Sequence, residues 1–126
     1  MSCLFVGERP SRTAERIGAS WERGGVCATT LHDALRANGV EPAQQHYINL
    51  FAPGDGTLVV DPDALAVLHR SELPIVALGR RVQSVLTREG IPFHALTHPA
   101  ARGRIRRRDR YQAHVGAVLA TLSTNW

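Results

Sequence analysis

The sequence contains no lysine, only two cysteines and no long apolar run, and each of these absences excludes a class of chemistry. All fifteen basic residues are arginine, so no side-chain amine is available to form a Schiff base. Cys3 and Cys27 are too few for a disulfide framework or a four-cysteine iron–sulfur cluster. Because neither an apolar stretch of about 18 residues nor a signal-peptide pattern occurs, we expect a cytoplasmic protein without a membrane partner.

Metal-binding patterns are missing as well. Five of the histidines show no ligand spacing with carboxylates or cysteines: His32, His46, His69, His94 and His114. We therefore predict neither a metal site nor a cofactor. Cys3 lies in the first apolar run, where a small buried residue is expected rather than a reactive thiol.

What the sequence does contain is a regular alternation of apolar runs and polar turns. The 126 residues, 44% of them hydrophobic, are enough for one domain with its own core. The apolar runs predict four strands, at residues 3–6, 46–51, 75–78 and 93–97. Helices are predicted at residues 28–38, 61–70, 79–88 and 107–122. This order predicts an α/β fold, a three-layer αβα sandwich with a four-stranded, mainly parallel sheet.

Local signals mark the ends of these elements. Thr29 or Thr30 can cap the helix over residues 28–38, and Asn38-Gly39 ends it. Asp61, followed by proline, opens the next helix. Residues 9–26 show no clean periodicity and predict a long loop with one helical turn, and long loops in compact domains are usually functional.

Three polar side chains stand where predicted strands end. They are Glu8, Asn49 and His98. Because the carboxyl ends of parallel strands meet at one edge, we expect these residues at the edge where open α/β sheets bind ligands. An acid, an amide and an imidazole at that edge suit the recognition of a polar heterocycle.

Each of the three also has an ordinary structural explanation, which the sequence leaves open. Asn49 fits an Asx-type turn at a strand end equally well. Glu8 fits a first-turn acid at a helix start, and a lone histidine such as His98 is more often a plain surface or core residue.

An arginine run follows the last of these residues. Six arginines fall within nine positions, namely Arg102, Arg104, Arg106, Arg107, Arg108 and Arg110. An isolated charge run is usually a solvated face, but this one begins four residues after His98. Since arginine forks pair with phosphates, the run favours a nucleic-acid backbone as partner.

In their order along the chain, the motifs resemble those of the uracil-DNA glycosylase superfamily. The nearest pattern is the compact type with a Gly-Glu-Ala-Pro-Gly motif, which here reads Gly7-Glu8-Arg9-Pro10-Ser11. The later motifs correspond to Gly24-Gly25, Tyr47-Ile48-Asn49, Val76-Ala77-Leu78-Gly79 and His98-Pro99-Ala100. The chain departs from the family at Ser11 and Ala100, which replace glycine and serine, and it lacks the cluster cysteines.

The resemblance implies one uracil-DNA-glycosylase-like domain over residues 1–126, which hydrolyses the N-glycosidic bond of a flipped uracil or modified pyrimidine in DNA. Glu8 would orient the water or counter the charge on the sugar, and His98 would donate a hydrogen bond to the departing base. Asn49 and Gly7 would hold the base edge, and Trp21 would stack on the base unless it is a core anchor.

The resemblance also implies a DNA-binding surface. Its residues would be Arg9, Ser11, Arg12, Arg102, Arg104, Ile105, Arg106, Arg107 and Arg108, with Ile105 as a wedge into the duplex. Because there is no lysine, we expect a monofunctional enzyme that leaves an intact abasic site. We also expect the protein to be a monomer.

Two other functions stay open at this point. The chain could be a diverged member that binds DNA or a modified base without cleaving it, and binding without base release would identify it. Alternatively, it could be a small-nucleotide-binding enzyme on the same scaffold, and then deletion of the arginine run would leave activity intact.

Overall fold

The computed structural model of this chain describes residues 2–8, 26–52, 58–99 and 108–123. Within these ranges, strands alternate with helices as predicted, and their ends lie within about two residues of the prediction. The strands are β1 (Leu4–Gly7), β2 (His46–Asn49), β3 (Ile75–Leu78) and β4 (His94–Leu96). The helices are α1 (Val26–Ala37), α2 (Pro62–Arg70), α3 (Arg80–Arg88) and α4 (Arg108–Ser123), with a 3₁₀ turn at Pro42–Gln44.

The four strands form one sheet in the order β2-β1-β3-β4, and all three strand pairs are parallel. The predicted α/β fold is therefore confirmed. After β1 the chain forms the neighbouring strand β2 on one side, and it then crosses over β1 to form β3 on the other side. Because such crossovers are right-handed, the change of direction puts the connecting helices on opposite faces of the sheet. The gap between the carboxyl ends of β1 and β3 is thus a topological switch point.

Each face of the sheet has its own apolar core, as expected for a parallel sheet covered on both sides. On one face α1 and α4 pack on Cys3, Phe5, Val76, Leu78 and Leu96. On the other face α2 and α3 pack on Leu4, Val6, Ile75 and Ala77. Burial raises the pKa of the Cys3 thiol to about 11, so this cysteine is a buried apolar residue, as predicted.

The predicted start of α1 was wrong. The helix begins at Val26, so Thr29 and Thr30 lie inside it rather than at its cap. Burial of Leu31 and Leu35 against the sheet outweighs the weak helix propensity of the threonines. The predicted end was right: Gly39 has φ +76°, and the N–H groups of residues 39 and 40 donate to the carbonyls of residues 36 and 35.

Asn38 connects the end of α1 to α4. Its Nδ2 donates to the carbonyl oxygens of Ala34 in α1, at 2.8 Å, and of Gln112 in α4, at 3.0 Å. A β-carbon at Gly116 would lie 2.5 Å from Asn38 Oδ1, so a larger residue at position 116 would have to displace the Asn38 side chain. The Asn38 side chain thus links α1 to α4 through one hydrogen bond to each helix. Among the described residues, no helix is long and apolar enough to span a bilayer.

Candidate functional site

An open cavity of about 690 Å³ lies at the carboxyl edge of the sheet, outside β1, β3 and β4. Its lining consists of Glu8, Gly79, Arg80, Arg81, Gln83, Ala95, Leu96, Thr97, His98 and His114. We call it the switch-point cavity, because it opens where the strand order reverses. Ligands of open α/β sheets bind at such points, and a cavity of this size suits a small molecule.

Gly79 brings Glu8 and His98 together inside this cavity. A β-carbon on residue 79 would lie 3.7 Å from Glu8 Oε1 and 3.8 Å from His98 Cδ2, so the carboxylate and the imidazole both border one small space. Gly79 itself has φ +90° and ψ 162°, a backbone conformation that essentially only glycine adopts. The glycine is therefore required by its backbone, and it also leaves the space between the two side chains open.

The half-buried His98 has an altered pKa. Burial lowers its pKa below the usual value of 6.5, because a charged ring loses hydration. The nearby Glu8 carboxylate favours the protonated ring and offsets part of this effect. At neutral pH the imidazole is consequently neutral, and it can donate a hydrogen bond without carrying a charge.

Two arginines make part of the cavity lining positive. Helix α3 begins there, with Arg80 and Arg81 in its first turn and no side-chain cap from the described residues. Arg81 Nη1 lies 3.8 Å from Glu8 Oε2, but Arg81 is 67% exposed, so this ion pair is weak. The positive end of the α3 helix dipole and the two guanidinium groups favour an anionic ligand group here.

Gln83 forms part of the cavity floor. Its Nε2 donates to the carbonyl oxygens of Ala77, at 3.1 Å, and Leu96, at 3.2 Å. These bonds join the carboxyl ends of β3 and β4, which carry Gly79 and the segment leading to His98.

Asn49 lies at the same edge of the sheet, in register with Gly7. It is not part of the described lining of the switch-point cavity. Alternation along β2 puts it on the same face as Tyr47, which packs against the core under α1 and α4. Because β1 and β3 stand between β2 and β4, a ligand that contacts both Asn49 and His98 must extend across the carboxyl ends of the central strands.

Most of the predicted stacking and DNA-binding residues lie outside the described ranges. These are Arg9, Ser11, Arg12, Trp21, Arg102, Arg104, Ile105, Arg106 and Arg107, together with residues 9–25 of the loop predicted over residues 9–26. Arg108 is the first residue of α4, and Arg110 is exposed on that helix. Their roles in binding DNA stay predictions.

Several lining residues were not predicted as part of the site: Gly79, Arg80, Arg81, Gln83 and His114. Arg80 and Arg81 closely follow β3, so the rule that pointed to Glu8 and His98, a polar side chain at a strand end, would also have found them. Gln83 and His114 lie on helices, and only the tertiary structure brings them to the cavity.

Over the ranges that the structure describes, no group of three histidine, cysteine or acidic side chains is arranged to hold a metal ion. No protein-family model matches the chain, and a search of curated proteins found no match.

Proposed function

We propose that this protein is a DNA glycosylase-like hydrolase acting on a flipped uracil or modified pyrimidine. The observation that carries the proposal is the pairing of a carboxylate, Glu8, with a neutral imidazole, His98, at the switch-point cavity. Both motifs were singled out for this chemistry by their resemblance to the uracil-DNA glycosylase superfamily.

In the reaction, the bond between the sugar carbon C1′ and the ring nitrogen breaks, and its electron pair leaves with the base. Negative charge then develops on a base carbonyl oxygen. A hydrogen bond from neutral His98 to this oxygen stabilises the transition state, an effect worth about 3 kcal/mol for a well-placed donor. A neutral imidazole can donate this hydrogen bond without transferring its proton, which suits a base that leaves as an anion.

Glu8 acts on the sugar side of the same bond. As the base departs, positive charge develops on the sugar ring, and the Glu8 carboxylate stabilises it electrostatically. A water molecule oriented by Glu8 then forms the new bond to C1′, and its released proton ends on the departed base or in solvent. Asn49 would contact the base edge from β2.

The remaining part of the proposal concerns the DNA strand. Arg80 and Arg81 border the cavity and provide positive charge for a phosphate flanking the flipped nucleotide. The arginine run that begins at Arg102 would extend this contact along the backbone.

The test is incubation with a panel of oligonucleotides that carry uracil or other altered pyrimidines, followed by alkaline cleavage at abasic sites. We expect base release from at least one substrate, and His98→Ala should lower the rate about 100-fold. His46→Ala is the matched control, since His46 is exposed at the amino end of β2. Absence of release from every substrate, or equal rates for both variants, would refute the proposal.

One observation favours a second candidate. The described part of the cavity already offers two arginines and an uncapped helix start, which would suffice for the phosphate of a free nucleotide. Free deoxynucleoside monophosphates in the same panel separate the two functions. Release from these, with no preference for oligonucleotides, would select the small-nucleotide enzyme.

A further inference from the structure

We propose that Tyr111 and His114 are positioning residues that hold His98 at the switch-point cavity. The catalytic consequence rests on the proposed function, whereas the positioning itself is testable without any activity. Both residues lie on α4, one helical turn apart and therefore on the same face.

The two side chains contact the residue that precedes His98. The N–H of Thr97 donates to His114 Nε2 at 3.1 Å, and the Tyr111 hydroxyl donates to the Thr97 carbonyl oxygen at 2.9 Å. Both backbone polar groups of Thr97 thus have partners on one helix. We call this pair of hydrogen bonds the Thr97 clamp.

The Thr97 clamp holds the backbone directly beyond the point where the hydrogen-bond ladder of the sheet ends. β4 ends at Leu96, whose carbonyl oxygen accepts hydrogen bonds from the Gly79 N–H and from Gln83 Nε2. Thr97, the next residue, is held by α4 instead of by a neighbouring strand. His98 therefore follows two consecutive residues whose backbone is fixed, so its ring can be directed at the space beside Gly79.

The clamp requires an acceptor at His114 Nε2, so its neutral ring carries the proton on Nδ1. This requirement allows a matched pair of variants. In His114→Gln the amide oxygen can accept from Thr97, while His114→Leu keeps bulk and removes the acceptor. Tyr111→Phe removes only the hydroxyl and leaves the buried ring in the core.

Tyr47→Phe serves as the control for loss of a tyrosine hydroxyl. The Tyr47 hydroxyl donates to the Pro42 carbonyl oxygen at 2.8 Å, away from the cavity. Tyr47→Phe should change stability as Tyr111→Phe does, without changing His98.

The first measurement is an NMR titration of His98 together with hydrogen exchange at the Thr97 amide. We expect the pKa of His98 to rise towards its usual value in Tyr111→Phe and His114→Leu, because a released ring is better hydrated. His114→Gln and Tyr47→Phe should keep the wild-type pKa. In His114→Leu, hydrogen exchange at the Thr97 amide should become faster than in wild type, and this increase should exceed that of the other amides in α4 and β4. An unchanged His98 pKa in both clamp variants would overturn the inference, and Tyr111→Phe alone decides it if His114→Leu does not fold.

The second measurement is base release, on the substrate that the wild-type protein uses. Loss of either clamp bond should lower kcat about tenfold, while KM changes little, and His114→Gln should restore kcat. If the wild-type protein releases no base but the pKa of His98 shifts as expected in the clamp variants, only the proposed function is contradicted. Normal kcat in both clamp variants, in an active protein, counts against the clamp only.

Discussion

Helices α2 and α3 begin at the same edge of the sheet, cover the same face and are each nine residues long, yet their first turns differ. α2 starts with the Asp61 cap, whose carboxylate accepts from the Asp63 N–H at 3.0 Å, and with proline at the first turn. α3 starts with Gly79, without a side-chain cap among the described residues, and continues with two arginines.

The first turn of α2 favours helix stability, whereas the first turn of α3 lies at the candidate site. An acid near a helix N-terminus stabilises the helix, whereas positive charge there is unfavourable, so α2 obeys the local rules and α3 does not. The start of α3 borders the switch-point cavity, where the helix dipole and the Arg80 and Arg81 side chains would favour an anionic ligand. Departures from local rules are expected at functional sites.

Of the predicted changes, Gly79→Ala should have the largest effect on stability and on base release. Alanine at φ +90° and ψ 162° is strained, which costs roughly 1–3 kcal/mol, and its methyl group would contact both Glu8 and His98. We expect a lower free energy of unfolding in urea and a loss of base release. Gly90→Ala is the control: its φ is +69°, but a β-carbon there meets no described atom within 4 Å. If Gly90→Ala impaired base release as much, the effect would not come from the cavity.

A smaller effect is expected from Asp61→Ala, which makes the start of α2 resemble that of α3. Loss of the cap should lower the free energy of unfolding by about 1 kcal/mol. The pKa of His98, measured by NMR, should not change, because Asp61 is not part of the cavity lining among the described residues. A shifted His98 pKa would show that the two helix starts are coupled.

The smallest effect concerns pH. Because the pKa of His98 is lowered in the folded protein, the unfolded chain binds a proton first as the pH falls through 6.5. The stability that comes from neutral His98 is therefore present above pH 6.5 and is lost as the pH falls to the folded value. Urea unfolding at pH 7.5 and 5.5 should show a larger decrease for wild type than for His98→Gln. Equal decreases would contradict a lowered pKa.

The elements of the fold could be predicted because their signals are local. The Gly39 end of α1 and the Asp61 cap of α2 follow from turn and cap chemistry within a few residues. The start of α1 could not be read in this way, since it depends on how Leu31 and Leu35 pack on the sheet. Glu8 and His98 could be assigned to one edge because parallel strands share their direction, but their closeness around Gly79 could not.

The sequence by itself determined the α/β class, the parallel sheet and the edge at which the polar strand ends lie, because hydrophobic periodicity and chain direction are properties of short segments. Only the tertiary structure decided that the cavity opens outside β1, β3 and β4, that burial lowers the pKa of His98 and that α4 holds Thr97. These features depend on strand order, on burial and on contacts between residues far apart in the chain, and no local pattern encodes them.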